Sequence, residues 1–188
     1  MASEVRTNKL SPASGVNLTL GDSGDTFTVP SGVTLTNNGT ASGFGKVLQV
    51  LNAIKTDSAS TSSNSYVDVS GLSVSITPSS ASSKILVLVN LNIGHSANTQ
   101  NSHYRLVRDS TAIANGTDGY FGNTAGQDYW APQGVGINYL DSPATTSATT
   151  YKIQFKLNTG SYTAYVNARG YDGTMITSSA ITVMEIAA

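Results

Sequence analysis

The sequence predicts an all-β protein in which a short repetitive β stalk precedes a jelly-roll-like antiparallel β-sandwich head. Three observations lead to this fold class. About a quarter of the 188 residues are Ser or Thr and 18 are Gly, so turns and polar strand faces are abundant. The apolar residues, 39% of the chain, fall in β-branched runs separated by turn residues. Only one stretch, 47–54, has apolar residues at the spacing of a helix.

The predicted stalk lies in a domain at 1–44 and contains a degenerate repeat over 16–24, 25–32 and 33–39. In each unit apolar residues alternate with polar residues, mostly Thr, along a strand, and a Gly turn closes the unit. So short a unit cannot bury its apolar row alone, and such repeats become stable by stacking on neighbours or on other subunits. We therefore expect three chains wound about one axis, and a plain β-meander is the alternative. The apolar row would consist of Leu18, Leu20, Phe27, Val29, Val33 and Leu35.

The predicted head occupies 45–188 and follows a hinge at 41–46. Its candidate strands are 47–55, 66–69 continuing through 72–77, 84–93, 103–108 with 112–114, 135–140, 151–157, 162–168 and 180–186. The first of these also fits helical spacing, but the approach is Gly-rich and every neighbour is β, so we predict a strand. Eight or so evenly spaced strands indicate a sandwich of jelly-roll type.

Two strands favour a trimer of heads. The stretch 84–93 is apolar almost throughout, so both of its faces should be covered, by a central position in the sheet or by an intersubunit contact. The final strand, 180–186, keeps its alternation almost to the terminus and should be held in a sheet.

Composition argues against several classes of function. Charged residues make up 11% and the formal net charge is −1, so neither nucleic acid nor a membrane surface is an expected partner. There is no Cys, which excludes disulfides and thiolate chemistry. The longest apolar run, 85–89, is far short of a membrane span, and the amino terminus lacks a signal-peptide core. We expect synthesis in a host cytoplasm.

An enzymatic or metal-dependent function is not expected. The chain has two histidines, His95 and His103, and no Gly-x-Ser-x-Gly motif around any serine. Its 11 acidic residues are dispersed, whereas polysaccharide hydrolysis requires paired carboxylates. Asp118, Asp128 and Asp141 are each expected to cap a turn. No segment has the acidic spacing of a calcium loop, so we predict no catalytic residue, cofactor or metal.

The candidate receptor-binding residues are aromatic side chains with flanking carboxylates in a stretch rich in Gly and Asn, 116–136. Such side chains suit sugar rings and protein interfaces. An equally good interpretation is that these rings seal the end of the sandwich or the trimer contact. Tyr171, in a turn that could lie at the same end, is a weaker candidate. The predicted set is Asp118, Tyr120, Phe121, Asp128, Tyr129, Trp130 and Tyr171.

Three segments resemble tail-fibre-like proteins of marine tailed phages, including cyanophages. They are 3–15 (SEVRTNKLSPASG) with the LTL and FTVPSG repeats that follow, 46–50 (KVLQV) with 66–87 (YVDVSGLSVSITPSSASSKILV), and 182–186 (TVMEI). The resemblance is scattered over most of the chain and strongest in 46–93. It implies a homotrimeric virion fibre attached through its amino terminus, with the head outward.

The sequence and this resemblance together predict a virion structural fibre, on the tail or the head of the phage, that attaches to a host-surface glycan or protein. Arg6 and Lys9, the only positive charges before the hinge, would contact other virion proteins, although a solvated terminus explains them equally well. The alternative is a capsid-decorating or tail-structural protein without receptor binding.

Overall fold

The computed structural model describes residues 26, 28–34, 46–97, 101–123, 130–158 and 161–187. The chain divides into two compact units, Met1–Gly43 and Phe44–Ala188. In the first unit the described residues form a turn, in which the Val33 N–H donates to the Pro30 carbonyl at 3.2 Å. Gly32 has a φ of 83°, which glycine adopts without steric cost. This turn lies where the sequence places the end of the second repeat, and the remainder of the predicted stalk, with 41–45 of the hinge, lies outside the described residues.

The described part of the second unit contains eleven β-strands and no helix. The prediction of an all-β head is therefore confirmed, and so is the choice of strand over helix at 47–55. The strands are β1 (Val47–Lys55), β2 (Ala59–Thr61), β3 (Val67–Ile76), β4 (Lys84–His95), β5 (Ser102–Arg108), β6 (Thr111–Ile113), β7 (Gly122–Asn123), β8 (Gln133–Asp141), β9 (Thr149–Leu157), β10 (Ala164–Val166) and β11 (Ser179–Ile186).

These strands form two sheets. Sheet A has the order β1-β11-β4-β10-β2, and β8 pairs with the other edge of β4. Sheet B has the order β3-β9-β5-β6, and β7 also pairs with β5. Every pairing is antiparallel, so the predicted antiparallel two-sheet sandwich is confirmed.

The core lies between the sheets and is built by strict alternation of inward apolar and outward residues. In β9 every second residue from Thr149 to Leu157 is buried, and β11 alternates in the same way. β4 is central in sheet A, as one interpretation of its apolar run required, and its inward residues are fully buried. The largest buried side chains are Tyr104, Tyr151, Phe155, Leu72, Ile76, Ile85, Leu91, Ile93, Leu106, Ile153, Leu157 and Ile181.

Strand β4 defines two ends of sheet A. At the proximal end Lys84 pairs with Ile186, which pairs in turn with Val47, the first residue of β1. At the distal end Ile93 pairs with Gln133 of β8 and Val166 of β10. The ten residue steps from Lys84 to Gly94 correspond to roughly 33 Å at the usual rise of a strand. The chain therefore joins the head at one end of a long sheet.

A buried ion pair joins the two sheets at the proximal end. Asp141, at the end of β8, accepts hydrogen bonds from Arg108 of β5 at 2.9 Å and from the Tyr151 hydroxyl of β9 at 2.6 Å. Burial and the bond to Asp141 raise the pKa of Tyr151, and the hydrogen bond with Asp141 raises the pKa of Arg108. Asp141 therefore links sheet A to sheet B, whereas the sequence predicted that this residue would cap a turn.

A second buried carboxylate, Glu185 of β11, holds the connection between β3 and β4. It accepts hydrogen bonds from the N–H and hydroxyl of Ser79, at 2.7 and 2.6 Å, and from the Gln49 amide at 2.6 Å. Burial by itself would raise the pKa of Glu185, but the bonds from Ser79 and Gln49 outweigh it and lower the pKa to about 2. Glu185 is thus stable as a buried carboxylate because its oxygens are satisfied.

Candidate functional site

Two exposed aromatic rings stack at the distal end of sheet A. The rings of Trp130 and Tyr171 have centroids 4.1 Å apart and planes inclined by 25°. Their exposed fractions are 48% and 53%, so much of each side chain faces solvent. Trp130 lies three residues before β8, and Tyr171 lies in the connection between β10 and β11. We call these two residues the ring pair; its members come from the two places that the sequence marked as candidates.

Backbone contact with β4 positions Tyr171. Gly170 lies so close to the end of β4 that a Cβ atom there would overlap the carbonyl of His95. Gly94 is equally confined, since a Cβ atom at this position would overlap the carbonyl of Ala168. Segment 168–170 therefore lies directly on the backbone of Gly94 and His95, with no side chain between them. This contact requires glycine at both position 94 and position 170. It fixes the backbone position from which the Tyr171 side chain extends.

An ion pair within the same loop closes the turn around Tyr171. The Asp172 carboxylate accepts hydrogen bonds from Arg169, at 2.8 and 2.6 Å, and from the Thr174 N–H and hydroxyl at 3.0 and 2.7 Å. The bonds from Arg169 and then those from Thr174 hold the pKa of Asp172 well below its ordinary value. The Arg169 guanidinium also lies 5.8 Å from the centre of the Tyr171 ring. Asp172 therefore has a structural role, because its ion pair with Arg169 closes the turn.

Asn167 anchors the base of this loop. Its side-chain amide donates to the carbonyls of Lys55 and Asp57, at 2.8 and 3.0 Å, and its amide oxygen accepts from Ser179 at 2.6 Å. Its backbone N–H donates to the Asn92 carbonyl at 2.7 Å. The φ of 66° is one that Asn tolerates better than most residues. No sequence pattern distinguishes this residue, because a buried Asn in a loop with two glycines resembles an ordinary turn residue.

A second group of aromatic and basic side chains lies on the outer face of sheet B. The rings of His103 and Tyr120 stack with centroids 4.0 Å apart and planes inclined by 20°. Beside them the Arg105 guanidinium lies 3.8 Å above the centre of the Tyr66 ring, and the Lys156 ammonium lies 5.0 Å from it. These distances are typical of cation–π contacts. We call these five residues the cation–aromatic cluster.

Burial, with a smaller contribution from Lys156, favours the neutral form of the histidine in this cluster. Burial, followed by repulsion from Lys156, lowers the pKa of His103, and attraction from Asp118 only partly opposes them. Burial raises the pKa of Tyr66 although Arg105 acts in the opposite direction. The Tyr66 hydroxyl donates to the carbonyl of Gly119 at 3.2 Å, which ties the loop bearing Asp118 to sheet B.

The structure distributes the predicted receptor-binding residues over three environments. Trp130 and Tyr171 form the ring pair, and Tyr120 belongs to the cation–aromatic cluster, with Asp118 close enough to influence its histidine. Phe121 is half-buried, packs against the core, and donates its N–H to the Tyr104 carbonyl at 2.9 Å. The remaining members of the predicted sets, Asp128, Tyr129, Arg6 and Lys9, lie outside the described residues.

Other chemistry is sparse in the part of the chain that the structure describes. No group of three or more His, Asp or Glu residues is arranged there to hold a metal ion. No described segment forms a helix long and apolar enough to cross a membrane. His95 is buried, and its Nε2 atom has no hydrogen-bond partner among the described residues. The ring pair, with the Arg169–Asp172 pair beside it, is more exposed than the cation–aromatic cluster.

Comparison with known proteins adds no relative from which a role could be transferred. No protein-family model matches the chain, and no curated protein sequence matches it either.

Proposed function

We propose that the chain is a structural fibre protein of a tailed phage, on its tail or its head, which forms a homotrimer and displays its β head for attachment to the host surface. One observation carries this proposal. Residue 46 leads into the head at the proximal end of sheet A, and the ring pair lies at the distal end, roughly 33 Å away along β4. A fibre needs this separation between its anchored end and its contacting end.

The strand order supports a jelly-roll head. Eight of the strands form two rows of four, β8-β4-β11-β1 in sheet A and β3-β9-β5-β6 in sheet B. Consecutive strands mostly alternate between the sheets, as they do in a double Greek key. Jelly rolls are common in viral capsid and lectin domains, although a fold by itself does not establish a function.

The chemistry of the ring pair fits a host-surface glycan best. Stacked aromatic rings offer a flat apolar face, and an apolar surface with a few fixed polar groups is typical of ligand sites. Arg169 and Asp172 supply such groups beside Tyr171, and both are held in place by their mutual hydrogen bonds. Because the Asp172 carboxylate already accepts bonds from Arg169 and Thr174, we assign it to orientation of the loop and assign no catalytic role.

Binding of labelled protein to intact cells tests this proposal. The fluorescent full-length chain is incubated with a panel of marine bacteria that includes cyanobacteria, and bound protein is measured by flow cytometry. Tyr171→Ala and Trp130→Ala should each reduce binding to a receptive strain by at least tenfold, since aromatic anchors dominate such contacts. Tyr162→Ala is the matched control, because it removes an exposed tyrosine outside the ring pair and should bind as the unmodified chain does.

Two outcomes would contradict separate parts of the proposal. Unreduced binding by both ring-pair variants would exclude the ring pair as the receptor contact. Absence of binding to every strain, together with detection of the chain on purified virions, would favour a capsid-decorating or tail-structural role. Treatment of receptive cells with periodate, which oxidises sugars, separates a glycan receptor from a protein receptor.

A further inference from the structure

The outer face of sheet A carries a row of apolar side chains across four strands. Val50 of β1 pairs with Met184 of β11, Met184 pairs with Leu86 of β4, and Leu86 pairs with Leu140 of β8. Residues in such register lie side by side on one face of a sheet. All four point away from the core, since their neighbours along each strand point inward. We call these four residues the apolar row.

This row is exposed at both of its ends. Val50 is 53% exposed and Leu140 is 56% exposed. Ile54 lies on the same face of β1 as Val50, outside the apolar row, and is 63% exposed. Leu86 and Leu88, in the middle of the sheet, are half-buried. A solvent-facing side of an antiparallel sheet normally carries polar residues. The apolar row therefore has the composition of a covered face.

The outer face of sheet B shows what a solvent-facing side looks like in this chain. There Asp68 accepts hydrogen bonds from Lys152 at 2.9 Å and from Gln154 at 2.6 Å, and Gln154 accepts from Arg105. Ser75 and Thr150 share a further hydrogen bond across the same face. Sheet B thus pairs charged and polar groups on its outer face, whereas sheet A places the apolar row there, next to the hydrogen-bonded pair of Asn52 and Thr182.

The lack of charge on the outer face of sheet A suits association with an identical face. Across the outward positions of β11, β4 and β8 the one charged residue is Lys84, which donates to Ser142 at 2.7 Å. On β1 the outward Val50, Asn52 and Ile54 are uncharged. Lys84 lies at the proximal limit of this face, two positions before Leu86 on β4, so the apolar row itself would meet no like charge and no unpaired buried charge in a second copy.

The size of the face agrees with a contact shared by several copies. Four strands spaced by ~4.8 Å and three residue pairs along each strand give about 400 Å² of flat surface, in which the apolar row lies beside polar residues such as Asn52, Thr182 and Asn138. This area is about half of what one partner gives to a standard interface. The outer edge of β1 adds to it, because β1 pairs with β11 alone among the described strands.

We propose that copies of this chain pack against one another through the outer face of sheet A, with the apolar row at the centre of the contact. This inference rests on the homotrimer of the proposed function and names the surface that forms it. In the assembly, Val50, Leu86, Leu140 and Met184 of each copy lie near a common axis.

Charge insertion in the full-length chain tests the proposal. Leu140→Glu and Val50→Glu each place a carboxylate at an exposed position of the apolar row, and Ser73→Glu adds the same charge to the outer face of sheet B. The molar mass is measured by sedimentation velocity over a concentration series. Each apolar-row variant should weaken association roughly 100-fold or more, since its carboxylate would be buried without a partner. Ser73→Glu should assemble as the unmodified chain does.

The outcomes separate this inference from the proposed function. An unmodified chain that forms trimers, with both apolar-row variants trimeric as well, overturns the outer face of sheet A as the contact and leaves the fibre proposal intact. In that case residues 1–45 or another surface hold the copies together. An unmodified chain that stays monomeric at every concentration overturns both. Unfolding midpoints and near-UV circular dichroism identify a variant that fails to fold, and the second variant then decides.

Discussion

Replacement of Gly170 by alanine should displace the ring pair, because the backbone of segment 168–170 lies directly on the end of β4. No positive φ applies at Gly170, so the only obstacle to a side chain is space. A Cβ atom would overlap the carbonyl of His95 and come within 3.0 Å of the His95 nitrogen. Both are backbone atoms of a paired strand, which cannot rotate away as a flexible side chain could.

The size of the effect follows from this geometry. Added methyl groups in closely packed sites cost typically 1–3 kcal/mol, and a backbone-against-backbone overlap belongs at the upper end, about 3 kcal/mol. In a domain of this size each kcal/mol shifts the midpoint of thermal unfolding by about 2–4 °C, so a decrease of roughly 6–12 °C is expected. If the loop detaches instead of straining the sheet, the thermal shift is smaller, but Tyr171 still moves away from Trp130.

Fluorescence reports this displacement directly, because Trp130 is the sole tryptophan of the chain. In Gly170→Ala its emission should move to longer wavelength and its quenching by acrylamide should increase. Gly94→Ala should act in the same way, since a Cβ atom there would overlap the carbonyl of Ala168 from the other side of the contact. Gly134→Ala is the matched control, because a Cβ atom at Gly134 meets nothing within 4 Å.

One result would refute this reasoning. If Gly170→Ala and Gly134→Ala have the same unfolding midpoint and the same acrylamide quenching, segment 168–170 does not rest on β4 in solution. The ring pair would then lack the support on which the proposed attachment site depends.

Two further predictions concern buried polar groups. Asp141→Asn should lower the free energy of unfolding in urea by about 2 kcal/mol, because Arg108 and Tyr151 lose a charged acceptor inside the sandwich; an unchanged midpoint would argue against the cross-sheet ion pair. Burial lowers the pKa of His95 from its ordinary value of 6.5, so the unfolded chain binds a proton before the folded chain does. The free energy of unfolding should therefore be greatest above pH 6.5 and should fall as the pH decreases through the pKa of His95 in the folded chain. His95→Gln should remove part of this pH dependence between pH 7.5 and 5.5. An unaltered pH dependence would show that other groups cause it.

Much of the fold could be predicted from the sequence because long strands carry their own pattern. Alternation in β9 and β11, and the apolar run of β4, placed these strands to within about two residues, since the burial of every second residue is a local constraint. The short strands β2 and β7 were missed: β2 lies between the predicted strands 47–55 and 66–69, and β7 lies between 112–114 and 135–140. Each forms only through pairing with a strand that is distant in the sequence, β2 with β10 and β7 with β5. Strands of two or three residues are too short to show alternation.

The candidate site was predictable only in part. Aromatic residues in a polar stretch pointed to Trp130 and Tyr171, but the sequence could not show that the two rings stack. The predicted stretch also contained Phe121, which packs against the core, and Tyr120, which stacks on a histidine of β5. The residues that support the ring pair, Asn167 and Gly170, resemble ordinary turn residues, because their roles depend on strands that lie far away in the sequence.

The two outer faces of the sandwich impose an orientation on any assembly of heads. Packing through the outer face of sheet A covers the apolar row and leaves the charged outer face of sheet B in solvent in every copy. The cation–aromatic cluster, with Lys156 beside Tyr66, then lies on the outside of the assembly. The ring pair lies at the distal end of each copy, so three copies would present three ring pairs together. In the proposed trimeric fibre the three ring pairs act as a multivalent ligand, so even a weak interaction at each of them contributes to attachment.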